Sequence, residues 1–160
     1  MAEFFQFEAD FVESLRCIPM QVRFKLDSCG IKLKLAQWHQ FSAADRQALV
    51  DRPCPSATET QQYRTFLQQL IATHTGTAAV DLPVEPHPAW HNLAAIPETV
   101  QAKAQTLQVE LHLEQWVALT PLQRFALIKL SRSGHENSNF LPALQEFNLI
   151  PSNAGSSVAH

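Results

Sequence analysis

Cys17, Cys29 and Cys54, together with seven histidines, are the side chains of this chain best suited to hold a metal or act as nucleophiles. A zinc site asks for tight donor pairs, C-x2-C or H-x3-H on one turn, so that two ligands reach one ion. The nearest approach is His87 and His91 in HPAWH, and Pro88 between them opposes a regular helix that would aim both rings inward. Cys54 and His39 stand as single donors. Nothing in the spacing sets a particular His beside a particular Cys, and a thiol in an apolar face stays protonated and inert. The four glycines are isolated and make no phosphate-cradling loop. The chain is therefore expected to be no enzyme, with no catalytic residue, no metal site and no cofactor.

A different chemistry is offered by Arg16, Met20, Arg23, Lys25, Asp27, Lys32 and Lys34. A methionine flanked by arginines suits a protein contact surface, because polarizable and planar cationic groups are enriched in such interfaces. An ordinary solvated face is the bland alternative. A DNA-reading basic helix is the third, and the acidic neighbours Glu8, Glu13 and Asp27 count against it. So does a net charge of −3 with a pI near 6.1, which gives no global basic field for nucleic acid.

The elements that would present these residues recur. Sliding the chain by 78 residues lays Phe11–Val50 over Ala89–Ile128 without a gap, matching Ile18, Pro19, Val22, Lys25, Leu33, Leu35, Gln37, Trp38, Arg46 and Leu49 with identical residues. Self-similarity of this kind points to a duplicated supersecondary unit that buries its apolar face against its copy. Charge differs where packing agrees: Arg16, Arg23, Lys32 and Lys34 stand opposite Ala94, Gln101, Glu110 and His112.

Ile18, Val22, Leu26 and Cys29 mark one face of a helix over about Pro19–Ser28, with Pro19 at its first position. Met20, Arg23 and Asp27 then share its outer face. Gly30 suits the left-handed residue that stops it, and Gln108 in the copy calls for a different ending. Ile31, Leu33 and Leu35 alternate with lysines, as Val109, Leu111 and Leu113 do with Glu110 and His112; the two pieces either pair as a small antiparallel ribbon or are extended chain ahead of a helical turn. One or two turns around Trp38 and Trp116 follow. Ser42 with Asp45, and Thr120 with Gln123, have the spacing of capping boxes for helices over about Ala43–Asp51 and Pro121–Ser131. Thr58–Thr73 and Phe140–Phe147 close the two repeats, with Leu141, Leu144 and Phe147 expected on the inner face of the second.

The fold class expected is all-α, with or without a short two-stranded ribbon: two tandem helical repeats (about 11–71 and 89–149) packed about an approximate twofold in one domain, with a linker over about 74–88. Residues 151–160 lack core side chains and are expected to be disordered. An acidic start and the lack of a long apolar run suggest neither secretion nor a membrane partner. Cytoplasmic location and reduced thiols follow as expectations.

The run FFQFEADFVESLRCIPMQVRFKLDSCGIKLKLAQW, from Phe4 to Trp38, resembles the nitrate reductase associated protein family, and the resemblance continues to about Leu49 and, more loosely, through Leu111–Leu130. It implies a small cytoplasmic accessory protein found with assimilatory, molybdenum-dependent nitrate reductase in photosynthetic bacteria, acting in the maturation or stability of that enzyme. The same resemblance singles out the half whose surface departs from its copy, making the reductase the partner expected for Arg16, Met20, Arg23, Lys25 and Asp27. A cysteine-dependent redox or molybdenum-cofactor chaperone, using Cys17, Cys29 and Cys54, is the alternative of a different class.

Overall fold

The structure is a computed structural model that describes residues 4–9, 15–54, 56–132 and 139–150. Phe11, Val12 and Leu15 after Asp10 predict a short helix, and its residues 10–14, like the tail over 151–160, lie outside these. The chain is mostly helical and divides into two compact units, Met1–Glu85 and Pro86–His160.

In the first unit, helix α1 spans Met20–Cys29 and is preceded by Pro19, whose extended ψ of 153° makes it the N-cap rather than the first helical residue. Val22, Leu26 and Cys29 are buried along one face, as their spacing requires. Gly30 ends the helix at φ +77°, its amide donating to the Leu26 carbonyl. Strand β1 (Ile31–Lys32) and helix α2 (Leu35–Gln40) follow. Before α2 the Lys34 amide donates to Gln37 Oε1 at 2.9 Å, satisfying one of the donors that a helix start leaves over. Helix α3 (Ala43–Asp51) starts on Ser42, whose Oγ accepts from the Asp45 amide. The Asp45 carboxylate, expected to return to the Ser42 amide, lies instead 2.9 Å from His74 Nε2 at the end of the next helix, so only half of the capping box forms.

Helix α4 (Ala57–Thr75) is the axis of the unit. Ser56 caps its start through the Glu59 amide, and Gly76, at φ +70°, stops it. Tyr63, Leu67, Leu70 and Ile71 are buried on its inner face, against α1, α2 and α3. Trp38, Leu49 and Ile31 complete this core without exposed surface. A 3-10 turn, Gln6–Glu8, docks the N-terminal segment on α1: Glu8 is only 3% exposed, and its carboxylate accepts the amides of Met20 (2.9 Å) and Phe5 (3.2 Å). A carboxylate at a helix start is favoured by the helix dipole and by those orphan donors.

The second unit contains helices α5 (Glu98–Thr106), α6 (Leu113–Ala118), α7 (Pro121–Arg132) and α8 (Phe140–Glu146). Helices α5, α6 and α7 begin 78 residues after α1, α2 and α3. The box before α7 is complete, with Gln123 donating its amide to Thr120 Oγ1 and accepting the Thr120 amide. Here α7 is the axis. Phe125, Ala126, Leu127, Ile128 and Leu130 bury it nearly all round, against α5, α8 and the turn Ala89–His91. Trp90 meets Phe125 edge-on at 5.0 Å between centroids.

Several expectations need correcting. Strand β1 pairs antiparallel with β2 (Val80–Asp81), in the register Ile31↔Asp81 and Lys32↔Val80, and not with the stretch after Val109. That stretch has spent its polar groups inside its own unit: the Val109 amide donates to Ala104 O, and Leu111 O accepts from Gln101 Nε2. Helix α5 stops one residue sooner than its counterpart α1 and closes with that Val109 bond, yet Gln108 takes the same left-handed conformation as Gly30, at φ +59°. Leu141 is 37% exposed; Phe140 and Ala143 take the inner face beside Leu144.

Candidate protein-interaction surface

The seven residues proposed as a contact surface fall into three groups. Met20 is 4% exposed, so it presents no surface: the N-terminal segment closes over the first turn of α1 through Glu8. Spacing along the helix placed Met20 outward because the covering segment lies outside the helical period.

Lys25 is the second correction. Its Nζ lies 2.7 Å from Val50 O, 2.6 Å from Arg52 O and 3.4 Å from Leu49 O, and 5.5 Å from the Tyr63 ring centroid. The ammonium thus caps the carbonyl end of α3, where a helix has acceptors without partners and favours a cation. Burial lowers its pKa, partly offset by Cys54 and Asp51. Reversing this charge would test folding rather than binding. Arg23 and Asp27 are half-buried on α1, with Arg23 Nε donating to Ile18 O at 3.2 Å.

Arg16, Lys32 and Lys34 remain exposed. The carbonyl of Arg16 is 2.7 Å from His39 Nε2, which ties its backbone to α2. Lys32 stands on β1 opposite Val80, and Lys34 immediately precedes Leu35, which is 48% exposed at the first turn of α2. The geometry therefore offers cations beside apolar surface on fixed backbone.

The thiols are free. Cys29 is 4% exposed, and burial, reinforced by Cys54, pushes its pKa from 9.0 up to about 11. Cys54 is half-buried, with its Sγ 3.6 Å from Thr60 Oγ1. Native protein at mildly alkaline pH should be alkylated at Cys17 and Cys54 while Cys29 is spared until the chain unfolds, as peptide mass mapping would show. Rapid native labelling of Cys29 would mean that this face opens. Because the folded state holds the Cys29 proton more tightly, its contribution to stability is complete below pH 9.0 and disappears as pH rises through about 11. Burial also raises the Tyr63 pKa, so both groups make the fold sensitive to alkali.

His87 and His91, both exposed, line an open cleft of about 440 Å³ with Pro86, Pro88 and Asn92, and Pro88 precedes a 3-10 turn rather than a regular helix. Among the described residues, no group of three or more His, Cys, Asp or Glu is placed to hold a metal ion, and no helix is long and apolar enough to cross a membrane.

Two arginines do work that composition did not advertise. Arg46 donates from Nε to Trp38 O (3.1 Å), from Nη2 to His39 O (2.9 Å) and from Nη1 to Leu15 O (3.3 Å). Arg124, 78 residues on, donates from Nη1 to the carbonyls of Trp116, Val117 and Leu119, and from Nε to Trp90 O at 2.6 Å. Each closes the carbonyl end of the short tryptophan helix before it. Their identity in the 78-residue register is the sequence signal for this role, since a charge matched where packing agrees serves the interior as a cap.

No curated protein and no solved structure matches the chain. A family model does, and its match over residues 4–147 runs from the segment that carries Glu8 through α8, taking in both units. The chain belongs to the family described as conserved nitrate reductase-associated protein.

Proposed function

We propose that this chain is a non-enzymatic accessory protein that docks on molybdenum-dependent assimilatory nitrate reductase in the cytoplasm and supports its maturation or stability. Membership of the family over residues 4–147 carries the reading. The exposed cations Lys32 and Lys34, just ahead of the exposed Leu35, and Arg16, whose carbonyl meets His39 on the same helix, are the contact residues it favours. Arg23 and Asp27 have less surface to offer. Met20 and Lys25 serve the fold.

The test is co-purification of the tagged chain from cells growing on nitrate, with the captured material assayed for reductase and molybdenum. Wild type should capture reductase. The combined Arg16→Glu, Lys32→Glu, Lys34→Glu variant should lose most of that capture, ten-fold or more on the order of 1.4 kcal/mol, with an unchanged melting curve. Reductase free of molybdenum would identify the immature enzyme as the partner, and reductase containing it the finished enzyme. Capture by the variant equal to wild type would remove these residues from the contact.

A further inference from the structure

Two exposed faces, one in each unit, carry opposite charge, and in the 78-residue register Lys32 of the first corresponds to Glu110 of the second and Leu35 to Leu113. In the first unit, Lys32 and Lys34 accompany the apolar side chains of Leu35 (48% exposed) and Val80 (49%). Lys32 and Val80 are directly paired across the ribbon, so their side chains leave the same side of it. In the second unit, Glu110 and Glu114 accompany Leu113 (41% exposed) and Val117 (42%). Leu113 and Val117 are four residues apart on α6 and share one helix face.

Both faces sit on backbone that is already fixed. The Lys34 amide is held by Gln37 Oε1, and the His112 amide by Gln115 Oε1, each at 2.9 Å. The tryptophan of each helix is buried beneath, Trp38 without exposed surface and Trp116 with 2%. Little ordering is left to do on contact, which lowers the cost of association. Exposed leucine and valine gain by leaving water, and lysines facing glutamates give the contact its direction.

We infer that the chain associates with itself, the basic face around Leu35 of one copy docking on the acidic face around Leu113 and Val117 of a second copy. The occupant follows from the complement: two cations and two apolar side chains meet two anions and two apolar side chains. The joining surfaces differ, so the contact is heterologous, and it either closes into a ring or continues as an open chain. This association requires no reductase, but it shares Lys32 and Lys34 with the contact proposed above. Because it uses Lys32 and Lys34, it also predicts that self-association and reductase capture compete.

Sedimentation velocity of the purified full chain, over about a hundred-fold range of concentration reaching high micromolar values, tests this. The average mass should rise above the 18.0 kDa of one chain, and should fall back towards it when salt is raised tenfold, because screening shortens the reach of the charges. Lys32→Glu with Lys34→Glu, or Glu110→Lys with Glu114→Lys, should each abolish the rise. Mixing the two variants should restore it, since every junction between unlike copies again joins opposite charges. A plateau at twice the monomer mass supports a closed pair, and continued growth supports an open head-to-tail chain. All four positions are exposed, and Gln in place of each charge gives a milder pair of variants should a reversal impair folding. Wild type that remains at the monomer mass throughout, a reversal without effect, or a mixture that fails to recover association overturns the inference.

Discussion

Replacing Trp38 with alanine should lower the stability of the first unit by about 3–5 kcal/mol. The indole has no exposed surface and meets Phe41 edge-on at 6.5 Å between centroids. Its Nε1 donates to Leu15 O at 2.7 Å. Leu15 is left-handed, at φ +58°, a costly conformation for leucine that tertiary contacts must hold in place. Alanine would therefore remove core volume and also release a backbone oxygen that, among the described residues, keeps only the Arg46 contact at 3.3 Å. Trp38→Phe, which keeps a ring but no donor, should recover part of the loss. Urea unfolding followed by far-ultraviolet circular dichroism measures both variants. A transition unmoved by Trp38→Ala would show that this core is not organised around the indole.

Arg124→Leu should cost about 3–5 kcal/mol, although leucine preserves much of the apolar bulk. The guanidinium is 5% exposed, and burial lowers its pKa. What holds it is a set of peptide oxygens, the strongest contacts being Leu119 O at 2.5 Å and Trp90 O at 2.6 Å. Removal takes this donor from the buried Leu119 oxygen and from the partly buried Val117 and Trp90 oxygens, while Trp116 O keeps the Leu119 amide. Lysine restores the charge but not the fork of donors, so Arg124→Lys should regain only a fraction. Arg46, in the corresponding place of the first unit, is half-buried and can surrender its carbonyls to water; Arg46→Leu should therefore cost clearly less. Equal losses at the two positions would contradict this account.

Local signals were most legible where one short motif decides one element. Ser42 and Thr120 announced helices α3 and α7 at their observed first residues, because a capping side chain acts within three residues of itself. Buried faces at the helical period, such as Val22, Leu26 and Cys29, were readable for the same reason. What escaped was decided by partners distant in the chain. By period Met20 lies on the outer face of α1 and Lys25 on a neighbouring one, but the first is covered through Glu8 and the second is drawn onto the end of α3. The alternation at Ile31–Leu35 signalled extended chain, yet its partner was the Thr-, Ala- and Pro-rich linker, which has no periodicity to advertise a strand. The side chains of Arg16, Lys32 and Lys34 keep the exposure expected of them even where a distant partner holds the backbone, as His39 does at the Arg16 carbonyl and Val80 does across from Lys32.

The way the linker passes Gly30 sets where this chain can change length over evolutionary time. A Cβ on Gly30 would lie 2.7 Å from Val84 Cγ2 and 2.9 Å from Leu82 O, and the Leu82 amide donates to Gly30 O at 2.8 Å. Residues 80–84 are thus registered against Gly30, Ile31 and Lys32, and an insertion among them would shift that seam. Gly76 has nothing within 4 Å of the corresponding point. Gly76, Thr77 and Ala78 are exposed, whereas Ala79 already packs on the core, so insertions and deletions among relatives should collect at 76–78, ahead of the seam and not within it.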